Sequence, residues 1–231
     1  MIPKKIHYVW VGGKDKPKDI QKCMDTWKKH LSEYEIIEWN ETNFDMNAHP
    51  FIAEAYAKKK WAYVSDYIRA YVVYEEGGIY LDTDVIVLDD LTQFLKNRAF
   101  VGFENPSYPF TAVFGAEPKH PLVKDILDYY DQVSFEFDKN NEMKNVNTKI
   151  VSDILINKYK CKVNNKEQLL LEGIKVYPDG VLCNPSDNSS TIHVFTGTWM
   201  ESQKPLKRKI NKWVKLRTTS KNRIKLYKRL F

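Results

Sequence analysis

The chain lacks any long apolar run. A membrane-spanning helix needs about 18 uninterrupted apolar residues, and no stretch of the 231-residue sequence approaches that length. The opening MIPKKIHYVWVGG has two lysines, only a very short apolar run and no small-residue cleavage site, so it predicts a first strand and not a signal peptide. We therefore expect a cytoplasmic protein.

Cysteine is also scarce. The three cysteines are Cys23, Cys161 and Cys183, an odd number whose spacings match no metal-binding motif. This pattern predicts free thiols in a reducing compartment, in agreement with a cytoplasmic location.

Acidic residues are missing from the last part of the sequence. Residues 204–231 contain 12 Lys and Arg and no Asp or Glu. The remaining 24 basic and 30 acidic residues give residues 1–203 a net charge of −6, whereas the whole chain carries +6. We therefore predict two parts, a mildly acidic domain over 1–203 and a strongly basic segment over 204–231.

The first part has the length and composition of one α/β domain. A chain of this size with 43% hydrophobic residues can form its own core. Strands are predicted at 5–12, 34–39, 79–88, 99–104, 112–116, 175–177 and 192–195, and helices at 18–31, 43–60, 61–76, 121–133 and 146–159. Alternating strands and helices favour a layered α/β domain with a mainly parallel sheet. Ligands of such sheets bind beyond the carboxyl ends of the strands, which places Trp10 near Asp82 and Asp84.

The stretch GGIYLDTDV, residues 77–85, places two carboxylates after an apolar segment. Asp82 and Asp84 lie two residues apart, so on a strand they face the same side. Two such carboxylates can bind Mg²⁺ or Mn²⁺, whose open positions usually take substrate phosphates. Taken alone, D-x-D is common, and a pair of solvated turn carboxylates is the simpler interpretation.

The predicted helix before this stretch, WAYVSDYIRAYVVYEE, carries few charges. Ser65, Asp66 and Arg69 share one helical face, because the last two are at positions i and i+3. An ordinary surface ion pair, worth well under about 1 kcal/mol, would also explain Asp66 and Arg69.

Three ordered motifs together resemble a known family. The pattern S-D-x-x-R-x7-G-G-x-Y-L-D-x-D-V over 65–85 is similar to that of glycosyltransferase family 32, related to capsular polysaccharide glycosyltransferases and to the glucosylating domains of large bacterial toxins. The opening IPKKIHYVWVGG and the late IHVFTGTW, residues 192–199, resemble the same family. The resemblance implies a GT-A (Rossmann-like) nucleotide-sugar transferase fold, a nucleotide-sugar donor, a divalent cation and a retaining reaction.

The resemblance also implies roles for individual residues. The implied catalytic residues are Asp66, Arg69, Asp82 and Asp84. The implied donor-binding residues are Val9, Trp10, Ser65, Asp66, Arg69, Tyr80, Asp82, Thr198 and Trp199, with Trp10 stacked on the nucleobase. The implied ligands of Mn²⁺ or Mg²⁺ are Asp82, Asp84 and His193, although a histidine that is simply packed or hydrogen-bonded explains His193 equally well.

One departure from the family leaves the donor sugar open. Many relatives carry Thr-Gly-Pro where this chain has Asn-Val-Asn-Thr, residues 145–148, in a region that shapes the sugar and acceptor pocket. We expect a UDP-hexose or a UDP-N-acetylhexosamine, with uridine favoured over guanosine.

The basic segment 204–231 has apolar residues at helical spacing in two short units. Basic amphipathic helices with Trp and Phe lie on anionic membranes, where each Lys or Arg contributes about 1 kcal/mol. We therefore expect peripheral association with the inner face of the cell membrane, near a glycan or lipid-linked acceptor. A basic face packed on the domain is the alternative, and the acidic remainder argues against nucleic acid.

These observations predict a metal-dependent retaining glycosyltransferase that acts in surface polysaccharide synthesis. Two other functions stay open at this point. The stretch IYLDTDV also fits a haloacid-dehalogenase-type phosphatase, although that family has its motif on the first strand and here 81 residues precede it. The second alternative is a membrane-associated binding protein that has this fold but no catalytic activity.

Overall fold

The computed structural model describes residues 1–135, 147–197, 206–221 and 224. The strands are β1 (Lys5–Val9), β2 (Glu35–Trp39), β3 (Gly78–Leu81), β4 (Val85–Val87), β5 (Ala99–Gly102), β6 (Val113–Ala116), β7 (Gln168–Leu169), β8 (Ile174–Tyr177) and β9 (Thr191–His193). The α-helices are α1 (Lys18–His30), α2 (Pro50–Ala57), α3 (Trp61–Glu76), α4 (Pro121–Gln132), α5 (Asn147–Asn157), α6 (Asp179–Leu182) and α7 (Leu206–Lys215).

A seven-stranded sheet forms the centre of the domain, in the order β2-β1-β3-β6-β5-β8-β7. The strands β2, β1, β3, β5 and β8 run in one direction, and β6 and β7 run in the other. The expected α/β fold with a mainly parallel sheet is therefore confirmed.

Apolar side chains cover both faces of this sheet. Along β3, Tyr80 belongs to the core that also contains residues of α2, α3 and α4, whereas Ile79 and Leu81 belong to the core that contains Trp27 of α1. Successive residues of a strand point to opposite faces, so a short apolar strand buries all its side chains when helices cover both faces. The result is a three-layer α/β/α domain.

A small antiparallel sheet pairs β4 with β9 and corrects one prediction. The single strand predicted over 79–88 is instead two strands, since β3 ends in the large sheet and β4 begins in the small one. Between them the chain turns, and Val85 N donates a hydrogen bond to the Asp82 carbonyl at 3.0 Å. The polar run Asp-Thr-Asp favours a turn over a strand, so strand alternation is not what brings Asp82 and Asp84 together.

Other differences concern short or weakly patterned segments. Instead of the helix predicted over 43–60, the structure has only the shorter helix α2, which begins at Pro50. At its start, His49 Nδ1 accepts a hydrogen bond from Phe51 N at 3.1 Å. Proline favours the first helical position because it lacks the N–H that would otherwise be unsatisfied there. The elements β7 and α6 were not predicted, because two and four residues are too short to show a period.

The described part of the basic segment packs on the domain. Lys212 of α7 lies 2.8 Å from Asp19 of α1, and Lys221 lies 2.5 Å from Asp89. Ile224 is buried in a third apolar core beside the small sheet. The predicted boundary at residue 203 lies outside the described residues. Among the residues whose placement is given, we find no helix with both the length and the apolar composition to cross a bilayer.

Candidate active site

The Asp-Thr-Asp turn lies where the two sheets meet. Parallel pairing of β1 with β3, with His7 opposite Tyr80, brings the carboxyl end of β1 beside this turn. Antiparallel pairing of β4 with β9 places Val85 opposite His193. Residues that are more than a hundred positions apart in the sequence therefore meet at this end of the large sheet.

Asp84 is buried and connects the turn to the segment after β9. Its Oδ2 accepts hydrogen bonds from Thr196 N at 2.8 Å and from Thr196 Oγ1 at 3.0 Å, and its Oδ1 lies 3.2 Å from His193 Nε2. Burial alone would raise the pKa of Asp84, but His193 and the donors of Thr196 outweigh burial and hold it well below its usual range. Asp84 is therefore a fixed negative charge.

Asp82, Asp84 and His193 form a cluster that could hold a metal ion. One possible ligand atom from each lies within 4.8 Å of the others. Burial lowers the pKa of His193, but the Asp84 carboxylate outweighs it and the pKa is raised well above its ordinary value. Two carboxylates and one imidazole fit Mn²⁺ better than Mg²⁺, since Mg²⁺ prefers oxygen ligands alone.

Arg69 lies between two carboxylates rather than at the surface. Its Nη2 is 2.9 Å from Asp66 Oδ1 and 3.1 Å from Asp82 Oδ1, and its Nε donates to the Ser65 carbonyl at 3.3 Å. The guanidinium carbon lies 4.7 Å from the centre of the Tyr80 ring, a cation–π contact. Arg69 and Asp66 are each only 8% exposed, so the surface ion pair that would have explained these residues is excluded.

Burial has opposite effects on the two members of the Asp66–Arg69 pair. It raises the pKa of Asp66 to about 7, and the nearby Arg69 guanidinium acts in the opposite direction. Burial would lower the pKa of Arg69, but the Asp82 carboxylate outweighs it, so Arg69 stays charged.

Two residues near the cluster were given no role by the sequence. Thr196 lies within the quoted IHVFTGTW, where its contact with Asp84 depends on the pairing of β4 with β9. Glu104 follows β5, and its Oε2 lies 3.4 Å from Thr148 Oγ1. Burial raises the pKa of Glu104, and His193 acts to lower it. The sequence feature that could have identified Glu104 is its position directly after the buried strand AFVGF, at the end of the sheet where ligands bind.

The proposed nucleobase residues lie at the end of β1. Val9 is its last residue and belongs to the core, so its part in base binding stays a prediction. Trp10 is partly exposed, its Nε1 donates to the Lys14 carbonyl at 2.7 Å, and Lys16 Nζ lies 5.5 Å from its ring centre. Thr198, Trp199 and the residues 145–146 lie outside the described part of the chain.

Comparison with known proteins identifies a family-specific region within this chain. Residues 17–101 match the family described as a glycosyltransferase sugar-binding region containing a DXD motif. The matched range includes Ser65, Asp66, Arg69, Asp82 and Asp84, and it ends well before His193.

Individual relatives are consistent with this result. This chain is 28% identical over 186 residues to an uncharacterised glycosyltransferase of Acanthamoeba polyphaga mimivirus, covering 74% of this chain and 71% of the relative. It is 28% identical over 147 residues to inositol phosphoceramide mannosyltransferase 3 of Schizosaccharomyces pombe, covering 59% of this chain and only 39% of that protein. The solved structure of the PaToxG glycosyltransferase superposes with a TM-score of 0.52 at 21% identity, covering 68% of this chain and 69% of that one, which shows the GT-A fold.

The match over residues 17–101 has two consequences. A sugar-binding region of this kind implies a nucleotide-sugar donor and a glycan acceptor. The phosphatase alternative loses its basis, because the same Asp-Thr-Asp turn and the helix before it lie within the glycosyltransferase match.

Proposed function

We propose that the protein is a metal-dependent, retaining glycosyltransferase that moves a hexose or N-acetylhexosamine from a UDP-sugar to a glycan or lipid-linked acceptor. The observation that carries this proposal is the cluster of Asp82, Asp84 and His193, whose ligand atoms lie within 4.8 Å of one another beside Arg69. Surface polysaccharide, such as capsule, is the proposed product.

Each residue of the site has a distinct part in this proposal. When bound, Mn²⁺ or Mg²⁺ would offset the negative charge of the donor diphosphate. Arg69 is buried and fixes the Asp66 and Asp82 carboxylates, so that these can accept hydrogen bonds from sugar or ribose hydroxyls. Sugar transfer passes through an oxocarbenium-like transition state, in which positive charge develops on the sugar. Fixed carboxylates nearby stabilise that charge without reorganising during the reaction.

A donor screen tests the function directly. Hydrolysis of UDP-Gal, UDP-Glc, UDP-GlcNAc, UDP-GalNAc and GDP-Man would be measured with Mn²⁺ and again after chelation. We expect at least one UDP-sugar to be cleaved and the activity to be lost with the metal. Cleavage of GDP-Man alone would overturn the choice of base. Binding of donors with cleavage of none would favour the non-catalytic binding protein.

Trp10→Ala is expected to weaken UDP binding about tenfold or more, because base stacking on an aromatic ring contributes about 1–3 kcal/mol. Isothermal titration of UDP with Mn²⁺ measures this affinity. Trp213→Ala, which removes an exposed tryptophan of α7, is the matched control and should bind UDP normally. Equal affinity for the Trp10→Ala variant and the wild type would remove Trp10 from the base pocket.

The outer face of α7 supports membrane association as a second part of the proposal. Trp213 is 53% exposed and Ile210 is 46% exposed, although both are large and apolar. The Arg217 guanidinium lies 3.6 Å from the Trp213 ring centre, and Lys209 is exposed next to Ile210. An apolar strip bordered by cations complements an anionic lipid surface. We place the enzyme peripherally on the inner face of the cell membrane, where a lipid-linked acceptor would be within reach.

Replacing both Ile210 and Trp213 with serine is expected to reduce co-sedimentation with phosphatidylglycerol vesicles at least about tenfold, since burying each side chain contributes roughly 1.5–3 kcal/mol. The matched control replaces Leu169 and Leu171, which are exposed elsewhere on the domain. Absence of wild-type binding to anionic vesicles at physiological salt would refute membrane docking.

A further inference from the structure

Lys215, the last residue of α7, is buried in the wall of the site. It is only 1% exposed. Its Nζ donates to the His193 carbonyl at 2.9 Å and to Asn184 Oδ1 at 3.3 Å, and it lies 4.7 Å from the centre of the Phe195 ring. A buried ammonium is unfavourable unless polar groups replace its water, and here two oxygens and an aromatic face do so. The basic segment 204–231 therefore contributes one buried side chain, Lys215, to the interior of the domain.

The segment that Lys215 contacts has an unusual backbone. After β9 the chain passes through Phe195 with φ of 59° and Gly197 with φ of 58°. Left-handed backbone is unfavourable for a bulky residue such as phenylalanine, so neighbouring contacts must hold it. The bend turns Thr196 back toward the turn, and both its N–H and its hydroxyl donate to Asp84 Oδ2.

We propose that Lys215 is a positioning residue of the glycosyltransferase site. It binds the backbone of His193 on one side of the bend and the ring of Phe195 within it, and so fixes the segment that presents His193 and Thr196 to Asp84. The C-terminal helix is therefore a working part of the site as well as a surface element. The link to catalysis rests on the proposed function, whereas the link between Lys215 and the segment does not.

A second lysine of the same helix provides a matched control. Lys212 pairs with Asp19 of α1 at 2.8 Å and touches neither His193 nor Phe195. Both substitutions remove one cation of α7 together with its tertiary contacts. Only the loss of Lys215 should change the segment that follows β9.

The first measurement is amide hydrogen exchange of the metal-free protein. The Val194 amide donates to the Asp84 carbonyl at 3.1 Å, and the Thr196 amide donates to its side chain. In Lys215→Met both amides should exchange at least about tenfold faster, since a hydrogen bond to a charged group contributes about 1.5–3 kcal/mol. Lys212→Met should leave both rates unchanged. Should Lys215→Met not fold, Lys215→Gln gives the same test, and unchanged exchange in the folded variant would overturn the proposal.

The second measurement separates this inference from the proposed function. With an active donor, kcat/KM of Lys215→Met should fall by about 10- to 100-fold, as when an outer partner of a metal ligand is lost. Lys215→Arg, which keeps the charge, should recover part of the loss. Faster exchange with no turnover of any donor would refute the proposed function and leave the positioning role in place. Normal turnover with unchanged exchange would refute the positioning role alone.

Discussion

Asp84→Asn is expected to abolish detectable sugar transfer while the chain stays folded. The substitution keeps the shape of the side chain and one oxygen that can accept from Thr196. It removes the negative charge of Asp84, which faces His193. The cluster is then left with one carboxylate instead of two. Loss of a single preorganised electrostatic partner commonly reduces turnover by about 10²–10³-fold, and loss of the cation with its ligand should reduce it at least that much.

The matched control for this variant lies on the same stretch of chain. Asp90 is exposed, and its carboxylate accepts only a local hydrogen bond from Thr92 N at 2.7 Å among the described residues. Asp90→Asn should therefore keep wild-type turnover. Donor hydrolysis is measured with excess Mn²⁺, and Mn²⁺ binding is measured separately by calorimetry. If Asp84→Asn bound Mn²⁺ and turned over donor within about tenfold of the wild type, Asp84 would not be a metal ligand.

The sequence predicted local features of the site well. The helix α3 has the predicted bounds, and Ser65, Asp66 and Arg69 share a face because positions i and i+4, or i and i+3, are neighbours on any helix. The same spacing could not show that this face is buried. Burial depends on α4 and on the large sheet, which contribute Tyr130 and Tyr80 beside Asp66 and Arg69.

Long-range pairing explains what the sequence could not provide. The family resemblance grouped His193 with Asp82 and Asp84, but the residues themselves could not show how they meet. His193 reaches Asp84 through the register of β4 and β9, and an isolated histidine at the end of an apolar strand carries no signal of that register. Lys215 illustrates the same limit, because it is one of 12 basic residues in a segment whose charge pattern predicts a solvated or membrane-facing surface. Periodicity distinguishes faces of a helix, but the partner of each face is set by tertiary packing.

Arg69→Met is expected to lower the free energy of unfolding by about 3–5 kcal/mol, which is the cost of removing one partner from a buried ion pair. The variant leaves Asp66 and Asp82 facing each other without the guanidinium that lies between them. The matched control is Arg98→Met. Arg98 is 52% exposed and pairs with Glu117 at 2.6 Å and Glu172 at 3.4 Å, so its loss should change the stability far less than the loss of Arg69.

The loss of stability in Arg69→Met should depend on pH. In the wild type, burial raises the pKa of Asp66, Arg69 lowers it and Asp82 raises it, and the net value is about 7. Without Arg69 the pKa of Asp66 must rise above its wild-type value. The folded variant then keeps a proton on Asp66 that the unfolded chain releases near pH 4. Its stability therefore falls as the pH increases from about 4 to the raised pKa of Asp66. Urea unfolding should therefore show a larger gap between variant and wild type at pH 8 than at pH 6. Arg69→Met combined with Asp66→Asn should remove most of this pH dependence, whereas a gap that is equal at both pH values would mean that Asp66 is not the group left unpaired.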